Sequence, residues 1–180
     1  MPEFESLYAG ASVSGGFSNA DPGALENLLR LNSLVPTLQT VAALDGMIKR
    51  GSGSIINIAS VLGLLPEYSH GIYAATKSYL LTMSQSLNAE VASKGIYVQA
   101  VLPAATRTEI YERSGGDIKK VSNVMEAGDL VDAALVGFDC KELVTIPPVP
   151  NVEDWDAFEE ARMVLARGFS NSQPAERYRG

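Results

Sequence analysis

Tyr73 and Lys77 stand four residues apart in GIYAATKSYLL (71–81), and their types suit proton transfer at a carbon-bound oxygen. A lysine ammonium beside a phenol favours the phenolate, which lowers a tyrosine pKa from about 10 toward neutral. Such a tyrosine can give a proton to a carbonyl, or take one from an alcohol, near pH 7. At 100° per residue, Lys77, Leu80, Leu87 and Val91 fall within about 40° of Tyr73, so both polar side chains lie on the apolar stripe of a helix. A core tyrosine with a solvated hydroxyl, beside a lysine that snorkels, fits the same spacing. Spacing alone leaves both readings open.

Two more polar residues stand where core is expected. Asn32 lies in the middle of the stripe Leu25, Leu28, Leu29 and Val35. A core-facing asparagine inside a helix needs hydrogen-bond partners or costs about 1–3 kcal/mol. It is either a structural amide bonded to nearby backbone or part of a site. Ser60 closes the apolar run GSIINIAS, where it can cap a turn or hydrogen-bond the same substrate oxygen as Tyr73. Such a set performs proton chemistry at a C–O centre and needs a separate hydride donor.

The elements that must position these residues are legible in outline. Asp21-Pro22 is an N-cap followed by proline at the first helical position. Helical periodicity then runs to about Arg50, where Gly51 and Gly53 end it, and Pro36 is expected to kink or split this helix. Residues 53–60 read as a strand buried on both faces, and Tyr73 to Val91 as a second helix stopped by Lys94-Gly95. IYVQAVLP is another buried strand, residues 126–138 a shorter helix, and LVTIP (143–147) a last short strand. DWDAFEEARMVLARGF reads as a terminal amphipathic helix in which Trp155 and Phe158 pack. Alternating strands and helices imply an α/β fold, a Rossmann-like doubly wound and mostly parallel sheet. Ligands bind such sheets outside the carboxyl ends of the strands, which points to Ser60 and to Pro103–Thr108.

Bulk composition narrows the function classes. The 180 residues are 46% hydrophobic and 19% charged, with a net charge of −7. This is a globular composition, without the basic patch that nucleic acid or anionic membrane would require. Cys140 is the only cysteine and His70 the only histidine, so a disulfide framework, a cysteine zinc site and a metal cluster find no support. GASVSG (10–15) only grazes the nucleophile pattern of serine hydrolases. No signal peptide or spanning segment is legible, and the expected location is the cytoplasm.

With its motifs in order, the sequence resembles the short-chain dehydrogenase/reductase family over roughly Ala9 to Ile146. Asn32 matches the family's helix asparagine, and IINIASVLG carries its serine at Ser60. Tyr73 follows thirteen residues later in YAATK with Lys77, and GIYVQAVLPAATRT matches the strand that ends at the cofactor. The resemblance implies hydride transfer between NAD or NADP and a small carbonyl or alcohol substrate. Tyr73 would be the general acid/base. Lys77 would lower its pKa and bind the nicotinamide ribose, Ser60 would orient the substrate oxygen, and Asn32 would hold a water in a proton relay behind Lys77. Cofactor contacts would come from Gly10, Tyr73, Lys77, Pro103, Ala104, Thr106 and Thr108. The loops 61–72 and 105–122, including Glu67 and Tyr111, would shape the substrate site.

The departures carry expectations of their own. The family's glycine-rich turn is absent: GSGS (51–54) precedes a strand, not a helix. The residue that reads the adenosine ribose is absent too. The family's Asn-Asn-Ala-Gly stands here as Leu7-Tyr8-Ala9-Gly10. The expectation is one domain over 1–180, truncated at the N-terminus. Residues 1–20 would be a remnant of the family's fourth strand and loop, 21–150 the catalytic half, and 151–180 a helix and tail. NAD(P) binding is expected to be weak or absent. A homo-oligomer is expected, through helices 22–50 and 73–93 or through the exposed sheet edge. The alternative is a non-catalytic remnant or interaction protein that keeps the half-fold.

Overall fold

Helix and strand alternate as the apolar patterning requires. The structure, a computed structural model, describes residues 4–7, 16–68, 71–109 and 117–179. Asp21 caps helix α1 (Pro22–Leu29) by accepting from Ala24 N at 2.8 Å. Arg30–Leu34 then form one π-helical turn, and α2 (Val35–Arg50) continues from it. The division thus falls just ahead of Pro36. Proline has no N–H to offer the carbonyl four residues back, which belongs to Asn32. The hydrogen-bond ladder widens there, and Val35 N–H bonds the carbonyl of Arg30, five residues back.

Four strands form one parallel sheet in the order β1 (Phe4–Leu7), β2 (Gly53–Ile58), β3 (Ile96–Val101) and β4 (Val144–Thr145). β4 is shorter than the expected 143–147. Proline cannot donate to a ladder, and Pro147-Pro148 stops the pairing. β2 and β3 run in register from Gly53 opposite Ile96 to Ile58 opposite Val101. Their carboxyl ends therefore finish level. Beyond them Ala59 N–H bonds Val101 O at 2.8 Å and Val61 N–H bonds Pro103 O at 3.0 Å. Register alone brings the Ser60 loop beside Pro103.

Helices cover both faces of β3. On one side, Met47 of α2 and Leu87 and Val91 of α3 (Tyr73–Val91) pack with Ile55, Ile96 and Val98 into the core. Residues of opposite parity reach α4 (Ala127–Asp139) and the turn after it. Tyr97 OH donates to Glu142 O at 2.6 Å, and Gln99 Nε2 donates to Ala134 O at 2.9 Å. The turns that end α2 and the Tyr73 helix meet closely. Gly51 and Gly95 both take positive φ, and a β-carbon on Gly95 would lie 2.3 Å from Gly51 O.

The chain divides into two compact units, Met1–Pro148 and Val149–Gly180, where the sequence reading treats 1–180 as one domain. The second contains α5 (Val152–Ala166), on which Trp155 and Phe158 stack with ring centroids 5.4 Å apart. Among the described residues, no helix is long and apolar enough to cross a membrane, and no three metal-ligating side chains cluster.

Candidate active site

The helix stripe read from the sequence is real. Lys77, Leu80, Leu87 and Val91 are buried and Tyr73 is half-buried. Lys77 is only 4% exposed, yet its ammonium does not snorkel to water. It donates to the carbonyl of Ile58 at 2.9 Å and lies 5.7 Å from the centroid of the Tyr73 ring. Burial lowers its pKa from 10.5 to about 8, because an ammonium loses hydration that one carbonyl only partly replaces.

Asn32 is fully buried in the π turn. Its amide reaches across to the second helix: Nδ2 donates to Thr76 Oγ1 at 3.1 Å. Thr76 in turn donates to the backbone carbonyl of Tyr73 at 2.7 Å. A polar chain thus runs from the centre of the first helix to the residue proposed for proton transfer. Just below it, Asn57 Nδ2 donates to Ser84 Oγ at 2.9 Å and fixes β2 against α3.

Ser60 combines both sequence readings. Its Oγ caps the 3-10 turn Val61–Gly63 by accepting from Leu62 N at 3.2 Å, and it donates to Pro103 O at 3.3 Å. The latter is long for a hydroxyl donor, so the proton is weakly held and can turn to another acceptor. Pro103 is buried at the end of β3, and Ala104 is partly exposed. Thr106 is buried, bridges to Met125, and donates its hydroxyl to Ala104 O at 3.1 Å. Thr108 is exposed. Gly10, His70 and Tyr111 lie outside the described residues, and Glu67 sits exposed in the turn Pro66–Tyr68.

Several residues that hold the site have no strong signal in the sequence. Thr76 announces itself only as a β-branched residue inside a helix. Ser78 and Gly63 join the Ser60 turn to the helix, with Ser78 Oγ donating to the carbonyl of Gly63. The Ile58 carbonyl that receives Lys77 is backbone, which no residue type encodes.

Comparison with known proteins identifies the family. Residues 1–118 match the family model described as short chain dehydrogenase. The human very-long-chain 3-oxoacyl-CoA reductase is 38% identical over 86 residues, 48% of this chain and 28% of that enzyme. A 2,5-dichloro-2,5-cyclohexadiene-1,4-diol dehydrogenase of Sphingobium indicum is 29% identical over 130 residues, 70% of this chain and 52% of the enzyme. The chain therefore spans about a quarter to a half of the curated relatives it matches. Among solved structures, a short-chain dehydrogenase from Sphingobium yanoikuyae in complex with NADPH has a TM-score of 0.93 and 47% identity, with 96% of this chain and 68% of that one covered. The bulky-bulky ketone specific alcohol dehydrogenase from Comamonas testosteroni has a TM-score of 0.86 and 43% identity, covering 96% and 66%. By sequence and by fold alike, this chain belongs to the short chain dehydrogenase family.

Proposed function

We propose that Tyr73, Lys77, Ser60 and Asn32 form the proton-transfer side of a carbonyl reductase or alcohol dehydrogenase. One observation carries this reading: a buried lysine, held by the Ile58 carbonyl at 2.9 Å, lies against the ring of a half-buried tyrosine. Tyr73 gives its phenolic proton to a ketone oxygen during reduction and takes it back from the alcohol during oxidation. The Ser60 hydroxyl leaves its long bond to Pro103 O and donates to the same oxygen, which stabilises the negative charge that develops there. Lys77, charged below about pH 8, favours the Tyr73 phenolate. In reduction the proton that Tyr73 gives up is replaced from water through the relay behind Lys77, and in oxidation the proton it gains leaves by the same route. Asn32, through Thr76, fixes the first turn of the helix and closes a relay with a water behind Lys77.

The residues present fit the nicotinamide end of NAD(P). An ammonium has three N–H groups and Ile58 takes one, which leaves donors for a ribose hydroxyl. Pro103, Ala104, Thr106 and Thr108 follow β3, and sheets of this kind bind ligands outside the carboxyl ends of their strands. When bound, the nicotinamide supplies or accepts the hydride. The sequence holds no glycine-rich turn for the pyrophosphate, so these 180 residues by themselves bind the dinucleotide weakly or not at all. A ketone with bulky substituents is the substrate class supported by likeness to the Comamonas enzyme.

The exposed Leu34, Leu38, Val41 and Ile48 recur along one side of the first helical region, and Tyr79 is also exposed. Thr37 and Tyr79 share a 2.7 Å hydrogen bond that joins the two helices. This surface suits a homo-oligomer. We assign the protein to the cytoplasm on its composition. Loss of carbonyl reduction in Tyr73→Phe tests the central role.

A further inference from the structure

We propose that Gly63 and Ser78 are positioning residues for this site, a clasp that holds the Ser60 turn against the helix carrying Tyr73 and Lys77. The inference rests on the reading of Ser60, Tyr73 and Lys77 given above. The two halves of the site come from different elements: Ser60 from the end of β2, Tyr73 and Lys77 from α3. Ser60 itself is tied to β3 through Pro103 O, not to the helix. The link to the helix comes three residues later. There the turn Val61–Gly63 lies directly on the Lys77–Ser78 peptide.

The contact leaves no room for a side chain. A β-carbon on Gly63 would lie 2.9 Å from Lys77 C, 2.9 Å from Ser78 N and 3.1 Å from Lys77 O. These are backbone atoms of a helix and cannot rotate aside. The Gly63 carbonyl accepts from Ser78 Oγ, so the turn is drawn toward the helix as well as allowed near it. Ser60 caps the same turn by accepting from Leu62 N, so turn and serine move together. The Lys77 residue whose backbone lies under the turn also carries the ammonium that the Ile58 carbonyl holds. A displaced Gly63 moves the peptide that carries Lys77, which is expected to loosen the seat of its ammonium and admit water. Among the described residues Lys77 makes no ion pair, and Tyr73 is the titratable group against it. Burial lowers its pKa, so its titration follows a change in that burial.

The test needs no catalytic activity, so it stands or falls separately from the dehydrogenase reading. The chain is labelled at lysine Cε, and the six lysine signals are followed by NMR against pH. Lys77→Arg assigns the Lys77 signal. Gly63→Ala is expected to raise the Lys77 midpoint by about one pH unit or more toward its ordinary value, and Ser78→Ala by about half a unit. Gly128→Ala, where an added β-carbon meets nothing within 4 Å, serves as the control and is expected to leave it unchanged. If Gly63→Ala does not fold, Ser78→Ala decides alone. An unshifted Lys77 midpoint in the folded variants overturns the proposal, as does an equal shift in Gly128→Ala.

Discussion

Lys77 donates to the carbonyl of Ile58 at 2.9 Å, two residues before Ser60. One hydrogen bond therefore joins the helix that presents Tyr73 to the strand that presents the serine. It also holds a cation in a place where a cation is costly.

That cost has a defined dependence on pH. The folded pKa of Lys77 is lowered to about 8 from 10.5. Below about pH 8 both folded and unfolded states are protonated, and the full penalty, roughly 3 kcal/mol, is present. Between pH 8 and 10.5 the unfolded state binds more protons, so stability rises with pH. Denaturant unfolding of the wild type and of Lys77→Met is expected to show the wild type gaining on the variant across this window. A constant difference contradicts the buried, desolvated ammonium.

The Asn32–Thr76 bond predicts energetic coupling between the two helices. Asn32→Ala and Thr76→Val should each destabilise by about 1 kcal/mol or more, since each removes a buried hydrogen bond. The double variant should cost less than the sum, by about 1 kcal/mol. Additive losses in urea unfolding would show that the two side chains do not work together.

How these residues were legible from the sequence differs among them. The period of the Tyr73 helix was enough to turn Tyr73 and Lys77 inward, because a 3.6-residue repeat fixes faces. Asn32 stood out for the same reason, as an amide on a leucine stripe. Its partner did not, since a contact between residues 44 positions apart depends on how two helices cross. Ser60 is legible from its place after a strand, and its capping role is the ordinary use of a serine there. Gly63 was visible only as a loop glycine. Its meaning comes from the backbone of α3 beneath it, which sequence period does not report. The widened turn at Arg30–Leu34 is legible only as a disturbance near Pro36, because the missing N–H does not say how the ladder adjusts.

The apolar side chains on α2 predict self-association. Leu38 and Val41 are 58% and 62% exposed on the same helix. Sedimentation of the wild type should show a dimer or larger species, and Leu38→Asp should shift it toward monomer without loss of helix content. A wild-type monomer at every concentration contradicts this surface as the interface.

The lack of a glycine-rich turn predicts poor dinucleotide affinity for these 180 residues. Calorimetric titration with NADH and NADPH should give dissociation constants weaker than about 1 mM, or no heat. Micromolar binding contradicts this and requires another grip for the pyrophosphate.

The most direct test of the central claim is reduction of a panel of bulky ketones with NADPH in large excess, followed through loss of the reduced nicotinamide. The wild type is expected to reduce at least one ketone, and Tyr73→Phe to lower that rate by at least about 100-fold while keeping the same fold. A panel left unreduced contradicts reductase activity of these 180 residues, and an undiminished rate in Tyr73→Phe contradicts Tyr73 as the proton-transfer group.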